Sequence, residues 1–208
     1  MESATLEETA AESSGPQQRV SKAQKRRDKK AQKEKDRDAE IEAQELANLT
    51  GSRQTEADAI RAKLTSRGLV LHEVVSDGDC LYAGVAHQLA LQGQTSIDAL
   101  EVRKVTSEAL RAKKNDYLPF LTDPKTGDLL DDAGFEQYCS DLESTKVWGG
   151  QIELRAISEH FSTPIEVVQA EGSDVKLGEE FKKDPLVLTY HRHIFGLGEH
   201  YNSTKPAS

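Results

Sequence analysis

The sequence predicts an α+β fold, with helices packed around a small sheet. Three observations predict it. Short apolar runs at residues 69–75, 165–169 and 186–190 read as strands, and segments of helical spacing lie between the first and the other two. All eleven Phe, Trp and Tyr residues lie at or after Tyr82, so the large apolar surface that a core needs is C-terminal. The 208 residues leave room for one domain of ordinary size plus an appendage, and the charge pattern locates the appendage.

Residues 1–18 carry four acids and no bases, are poor in apolar side chains and include Ser13-Ser14-Gly15-Pro16; they read as a disordered acidic tail. Residues 19–37 hold ten Lys or Arg against three acids, a balance of +7. With the whole chain at −9, the part from Asp38 onward carries −12. A basic arm tethered to an acidic body suits an anionic partner for the arm and a basic ligand for the body. From Ser21 to about Ala47 the chain has strong helix formers, no Gly or Pro and almost no apolar stripe, so residues 19–48 read as a solvated helical arm or one that forms on binding. Gly51 is expected to end it. Residues 49–68 form a helical lead-in, with a helix over 54–66 that aligns Ala57, Ile60 and Leu64 and stops before Gly68.

Residues 69–208 are the predicted globular core. A strand over 69–75 enters the polar turn Ser76-Asp77-Gly78-Asp79, and a helix runs from Leu81 to Leu91. A loop around Gly93 leads to a helix over 96–113 with Val102, Val105 and Ala109 on one face. A short apolar segment, 118–121, precedes the turn-rich stretch 122–128. Helices follow near 132–142 and 151–161, the second aligning Leu154, Ile157 and Phe161. Strands are expected at 165–169 and 186–190, the latter an almost unbroken apolar run of the kind found in a central strand. Residues 200–203 complete the set as a last strand.

Two cysteines in a chain of this length argue against a disulfide framework. No apolar run approaches the ~20 residues that span a bilayer. Residues 1–16 are acidic and lack the apolar segment of a secretory signal. The expected compartment is the cytoplasm, with the nucleus also open. No cofactor motif is present.

The chemistry concentrates at Cys80. Its thiol stands where a tight turn opens into a helix, and the unpaired N–H groups and positive dipole end there favour thiolate over thiol. A thiolate nucleophile needs a base, and the C-terminal Gly198-Glu199-His200-Tyr201-Asn202 offers one. The bland alternative is a small buried hydrophobe, the commoner role of an intracellular cysteine. Cys139, in Phe135-Glu136-Gln137-Tyr138-Cys139, reads as helix packing. Among the other histidines, His72 lies in the first strand, His87 is two turns along the Cys80 helix, and His160 ends a helix. His191 and His193 share one side of an extended segment, so a metal held with His200 is conceivable, but no cysteine or carboxylate cluster completes four ligands and no metal is expected. In a strand Asn202 points to the same side as His200, so its amide oxygen could accept from the imidazole and set the tautomer; the alternative is an Asn that merely ends the strand.

Taken together, Asp77-Gly78-Asp79-Cys80-Leu81-Tyr82 before a helix, Trp148-Gly149-Gly150 in mid-chain and His200-Tyr201-Asn202 near the end resemble the ovarian tumour (OTU) family of deubiquitinating cysteine proteases, in that family's order, over about residues 69–202. The lead-in at residues 20–27 and the end at 196–203 are most similar to its protein 6 branch. This chain is shorter at its N-terminus than members with a long coiled-coil leader, so that leader's functions do not carry over.

The resemblance implies a papain-like fold and a thiol-dependent ubiquitinyl hydrolase acting on isopeptide bonds between ubiquitin and protein or ubiquitin lysines. Cys80 would be nucleophile, His200 base, Asn202 its orienter, and Asp77 part of the active site. Asp77 would either orient His200 or shape the turn so that amides near Gly78 and Asp79 face the oxyanion; a carboxylate beside an oxyanion is repulsive, which favours turn shaping. Asp79 reads as a loop or capping residue. Trp148, Gly149, Gly150, Gly198 and Tyr201 would line the groove for the substrate tail, and Asp141, Glu143 and Glu153 are acids nearby in sequence. A second reading is a ribosome- or RNA-associated module that binds ubiquitin with weak or no catalysis. The arm at 19–37 is the element that would meet RNA or the ribosome, and its bland account is a solvated helix or an import signal.

Overall fold

The computed structural model describes residues 34, 35, 37, 50–94, 96–195 and 198–207. The acidic tail and most of the basic arm lie outside the described residues; Glu34, Lys35 and Arg37 are helical. Residues 48–208 form one compact unit, described below.

Helix α1 occupies residues 50–66, with Gly51 inside it. Gly51 itself is thus helical, since a single glycine costs a helix only ~1 kcal/mol, and where the arm ends lies outside the described residues. The chain reverses at Gly68, whose φ of +67° suits a residue without Cβ. Strand β1 then spans Leu69–His72, three residues shorter than expected, because residues 73–75 leave the sheet for the turn before Cys80.

Helices α2 (Cys80–Leu91), α3 (Ala99–Ala112), α4 (Lys114–Tyr117), α5 (Asp132–Ser144) and α6 (Gln151–Phe161) follow, with a 3₁₀ turn at Leu118–Phe120. Strands β2 (Ile165–Gln169), β3 (Val175–Leu177), β4 (Leu186–Phe195) and β5 (Gly198–Pro206) end the chain. The sequence reading missed α4, which is one turn, and β3, whose three residues show no clear alternation.

The sheet order is β1-β5-β4-β2-β3, with β2 and β4 parallel and the other pairs antiparallel. The apolar run at 186–190 does lie in the central strand, and the last strand sits inside the sheet instead of at an edge. This mixed sheet with helices is an α+β, papain-like architecture. The main core joins Leu81, Tyr82, Val85 and Leu89 of α2 to Val102 and Leu110 of α3, Phe135, Cys139 and Leu142 of α5, Leu154 and Ile157 of α6, and Ile165 and Leu188 of the sheet. A smaller cluster seats Ile60 and Leu64 of α1 on Val168 and Val187, with Leu69 and Leu71 beside them.

Helix α3 buries a different face from the one its apolar spacing suggests. Val102, Arg103, Thr106, Ser107 and Leu110 are buried, while Val105 and Ala109 are only partly so. An apolar count misses a face that carries a buried guanidinium.

Candidate active site

Cys80 is the first residue of α2 and stands on a short, tied-down turn. Asp77 Oδ1 accepts the Asp79 N–H at 2.9 Å, and the Cys80 N–H reaches the Asp77 carbonyl at 3.3 Å. Asp77 Oδ2 accepts from Lys146 Nζ at 2.7 Å, and this contact first of all holds its carboxyl below the usual carboxylate range. Its carboxylate thus closes an Asx turn.

Asp79 occupies the N-cap position of α2 at the end of the Cys80 loop, but its side chain caps no N–H of the helix. Its carboxylate goes to Arg103 Nε at 2.7 Å and to Lys146 Nζ at 3.1 Å, and its own N–H is turned to Asp77. Charged partners on both sides outcompete a capping bond.

Arg103 is a residue that sequence reasoning missed. It is fully buried and donates to Asp79 Oδ1, to the Gly78 carbonyl (2.6 Å), to Leu142 O (3.0 Å) and to Val147 O (3.0 Å). Its guanidinium also lies 4.1 Å from the Tyr82 ring centroid. One side chain thereby ties the Cys80 turn to the segment before Trp148. The fit is close: a Cβ at Gly78 would sit 1.9 Å from the Lys146 carbonyl oxygen, so only glycine lets these two backbones meet. Nothing in the local sequence marks Arg103, because three of its partners are carbonyls.

His200 and Asn202 point to the same side of β5. Asn202 Oδ1 accepts the Val74 N–H at 2.8 Å and lies 3.0 Å from His200 Nε2. Val74 N–H can only donate, so the atom facing it is the amide oxygen. His200 Nε2 must then carry the proton, and Nδ1 bears the lone pair of a base. Burial lowers the imidazole pKa, against the opposing effects of Asn202, the Val74 backbone and Asp77.

Burial also pushes the Cys80 thiol up, and the Asp77 charge adds to this; the backbone at Tyr201 and Leu81 works the other way. The expectation that the helix start favours thiolate therefore meets a larger opposing cost, desolvation of the buried sulfur. Burial thus favours the uncharged form of Cys80 and of His200 alike.

A cleft of about 230 Å³ opens on Cys80 and is lined by Trp148, Gly149, Gly150, Gln151, Tyr190, Glu199 and Tyr201. Trp148 is 53% exposed, a wall of the cleft and not a core residue. A Cβ on Gly149 would come 2.4 Å from the Tyr82 hydroxyl, and one on Gly198, at φ +101°, would lie 4.0 Å from Trp148 Cη2. The three acids near in sequence are engaged elsewhere. Glu153 is buried and accepts from its own helix start at Gly150 N–H and from the Tyr138 hydroxyl. Glu143 pairs with Arg111, and Asp141 holds Gln137. Glu199 is the charged acid among the lining residues.

His72, His87, His160 and His191 are held in contacts of their own, and His193 is exposed. His72 and His87 stack with ring centroids 3.7 Å apart, and His87 Nδ1 meets Ser203 Oγ at 2.7 Å. His160 sits edge-on to Phe161. His191 is buried with Nε2 2.9 Å from Thr189 Oγ1; its Nδ1 lies 4.0 Å from Glu56 Oε2, beyond hydrogen-bond reach, and burial brings its pKa down to about 4. Among the described residues no three His, Cys, Asp or Glu side chains converge on a metal position. Also among the described residues, no helix is long and apolar enough to cross a membrane.

Comparison with known proteins gives a consistent picture. A family model described as OTU-like cysteine protease matches residues 75–201. The chain is 45% identical over 189 residues to Deubiquitinase OTUD6B of Xenopus laevis, covering 91% of this chain and 64% of that one. It is 45% identical over 185 residues to the Homo sapiens protein of the same name, covering 89% and 63%. It is 37% identical over 203 residues to OTU domain-containing protein 6A of Mus musculus, covering 98% and 68%. The chain thus spans somewhat under two thirds of the OTUD6B proteins' length. Among solved structures, the OTU domain of OTUD1 superposes with a TM-score of 0.58 at 19% identity, covering 75% of this chain and 98% of that domain.

Proposed function

The chain belongs to the OTU-like cysteine protease family, and from that membership we propose that it is a deubiquitinase, a thiol hydrolase of isopeptide bonds between ubiquitin and lysine. The name of its 45%-identical relatives supports the reading. The observation that carries it is the Val74–Asn202–His200 chain, which sets the imidazole tautomer on β5 between Glu199 and Tyr201, two residues that line the cleft at Cys80.

In this reading Cys80 is the nucleophile and His200 the base that takes its proton. The sulfur attacks the carbonyl carbon of the terminal glycine of ubiquitin; with the Asp79 and Cys80 N–H groups bonded to Asp77 inside the turn, the Gly78 N–H is the turn amide left to meet the charge that develops on oxygen. His200 then returns the proton to the departing lysine amine, and water, activated by the same nitrogen, hydrolyses the thioester. Asn202 keeps the imidazole in the reacting tautomer. Asp77 and Asp79 act on the turn, Asp77 through its own Asx bond and Asp79 through Arg103. Trp148, Gly149, Gly150, Gly198 and Tyr201 form the groove for an extended tail. Glu199, on the groove side of β5, suits the basic residues that precede ubiquitin's final glycines. Residues 69–208, with α1 packed on them, make up the catalytic domain, and residues 1–18 and 19–48 its tail and arm. The protein works in the cytoplasm, and the +7 arm gives it an RNA or ribosomal partner.

Ubiquitin carrying an electrophile at its C-terminus tests the chemistry. The wild-type chain and Cys139→Ala should each gain one ubiquitin, attached at Cys80 by peptide mapping, and Cys80→Ala should gain none. Attachment at Cys139, or no adduct with the wild type, would overturn the assignment.

A further inference from the structure

Resting on the hydrolase reading above, we propose that Glu56 of α1 is a positioning residue for His200, acting through the bulged end of β4. Helix α1 lies outside the matched residues 75–201, yet it reaches the strand that is paired with the histidine.

The ladder between β4 and β5 runs regularly through Leu188↔Ser203, Thr189↔Asn202, Tyr190↔Tyr201 and His191↔His200, then resumes at Phe195↔Gly198. Residues 192–194 of β4 thus stand against Glu199 alone. Such a bulge leaves backbone groups without ladder partners and re-aims the neighbouring side chains. Two of those groups are taken up by one carboxylate: Glu56 Oε1 accepts the Arg192 N–H at 2.6 Å and Oε2 accepts the His193 N–H at 3.0 Å. Arg53, one turn earlier, donates its Nε to the His193 carbonyl at 2.7 Å. Two α1 side chains therefore satisfy three backbone groups of the bulge.

The clasp has a fixed base. Glu56, Ile60 and Leu64 recur every four residues on one face of α1, and Ile60 and Leu64 are seated on Val168 and Val187 in the sheet. Glu56 is only 6% exposed, so its charge is desolvated, and two charge-assisted bonds to N–H groups offset that cost. Without the carboxylate, Arg192 and His193 would seek new partners across the ladder. A slip of one residue turns a strand's side chains to the opposite face. His200, directly opposite His191, stands at the last regular pair before the bulge and is the first to lose its place.

The test compares Glu56→Ala, Glu56→Gln and Arg53→Ala with the wild type, using ubiquitin with a fluorogenic C-terminal amide and active-site titration by the ubiquitin electrophile. Glu56→Ala should lower kcat per titrated site by roughly tenfold to a hundredfold with KM changed less than about threefold, as a misplaced base does. Glu56→Gln, which keeps one accepting oxygen, should fall between, and the partly exposed Arg53→Ala should lose about two- to fivefold. Amide hydrogen exchange at Arg192 and His193 should quicken in the same order. Unchanged kcat per titrated site in Glu56→Ala, or a loss that vanishes on normalising to folded protein, would overturn the proposal. Should Glu56→Ala not fold, Arg53→Ala and Glu56→Gln decide it alone, and wild-type kcat in both would overturn it. A wild-type chain with no turnover would instead overturn the hydrolase reading, and the positioning role with it.

Discussion

Cys80 and His200 are perturbed in opposite senses, and both by burial: the thiol holds its proton more tightly than an ordinary cysteine, and the imidazole gives its proton up more readily than an ordinary histidine. Both shifts disfavour a resting thiolate–imidazolium pair. The rate of Cys80 alkylation by iodoacetamide should therefore climb with pH through a midpoint above the ordinary cysteine value near 8.5, with no plateau on the acid side. A plateau below pH 7 would show that an ion pair exists at rest and sink this account. Cys139, with its pKa pushed up to about 11 first by burial, should stay silent over the same range. These residues were legible in the sequence because each sits in a short local pattern: a polar turn opening a helix, and a His-x-Asn pair with strand spacing. Arg103 and Glu56 were not. Arg103 finds its partners 24 to 44 residues away, and Glu56 bonds backbone amides 136 and 137 residues away. No window of sequence contains such a contact.

At the scale of elements, the strands and helices with clear apolar periodicity lie where the pattern predicts, and the departures have local causes. Strand β1 stops early where Val74 turns its N–H to Asn202, and β4 runs past its apolar stretch because α1 holds its end. The seam between α2 and the segment before α6 joins residues far apart in sequence. There Gly149 backs onto Tyr82, whose buried hydroxyl has no hydrogen-bond partner among the described residues. Gly149→Ala would place a methyl group 2.4 Å from that hydroxyl oxygen and 2.9 Å from the ring carbon bearing it. Overpacking of this kind costs ~1–3 kcal/mol. Tyr82→Phe removes the closer of the two atoms. Urea denaturation of the two single variants and the double should give a favourable coupling of about 0.5 kcal/mol or more, since the residues touch. Additive effects would mean that the seam yields without strain.

For the whole molecule the governing feature is charge. A +7 stretch at residues 19–37 and a −12 remainder are joined in one chain, and the stretch contains no aromatic residue. Lys and Arg without stacking rings grip phosphates and leave bases unread, so the expected ligand is a nucleic-acid backbone of any sequence, ribosomal RNA included. Such binding releases counterions: engaging six or more of the ten basic residues should lower affinity by about 10³-fold or more between 50 and 200 mM salt. The fold leaves the arm separable from the chemistry, because Cys80, His200, Asn202 and the α1 clasp all lie in the compact unit of residues 48–208. Removing residues 1–47 should then abolish co-sedimentation with ribosomes or RNA at low salt while hydrolysis of free ubiquitin chains continues at the wild-type rate. Equal sedimentation of the full and shortened chains, or binding that ignores salt, would reduce the arm to a solvated helix. Removing residues 1–68 instead also takes away Glu56, Ile60 and Leu64, uncovering Val168 and Val187 and freeing the β4 bulge. Hydrolysis should fail in that second truncation, so the pair of deletions separates binding from catalysis between residues 47 and 68.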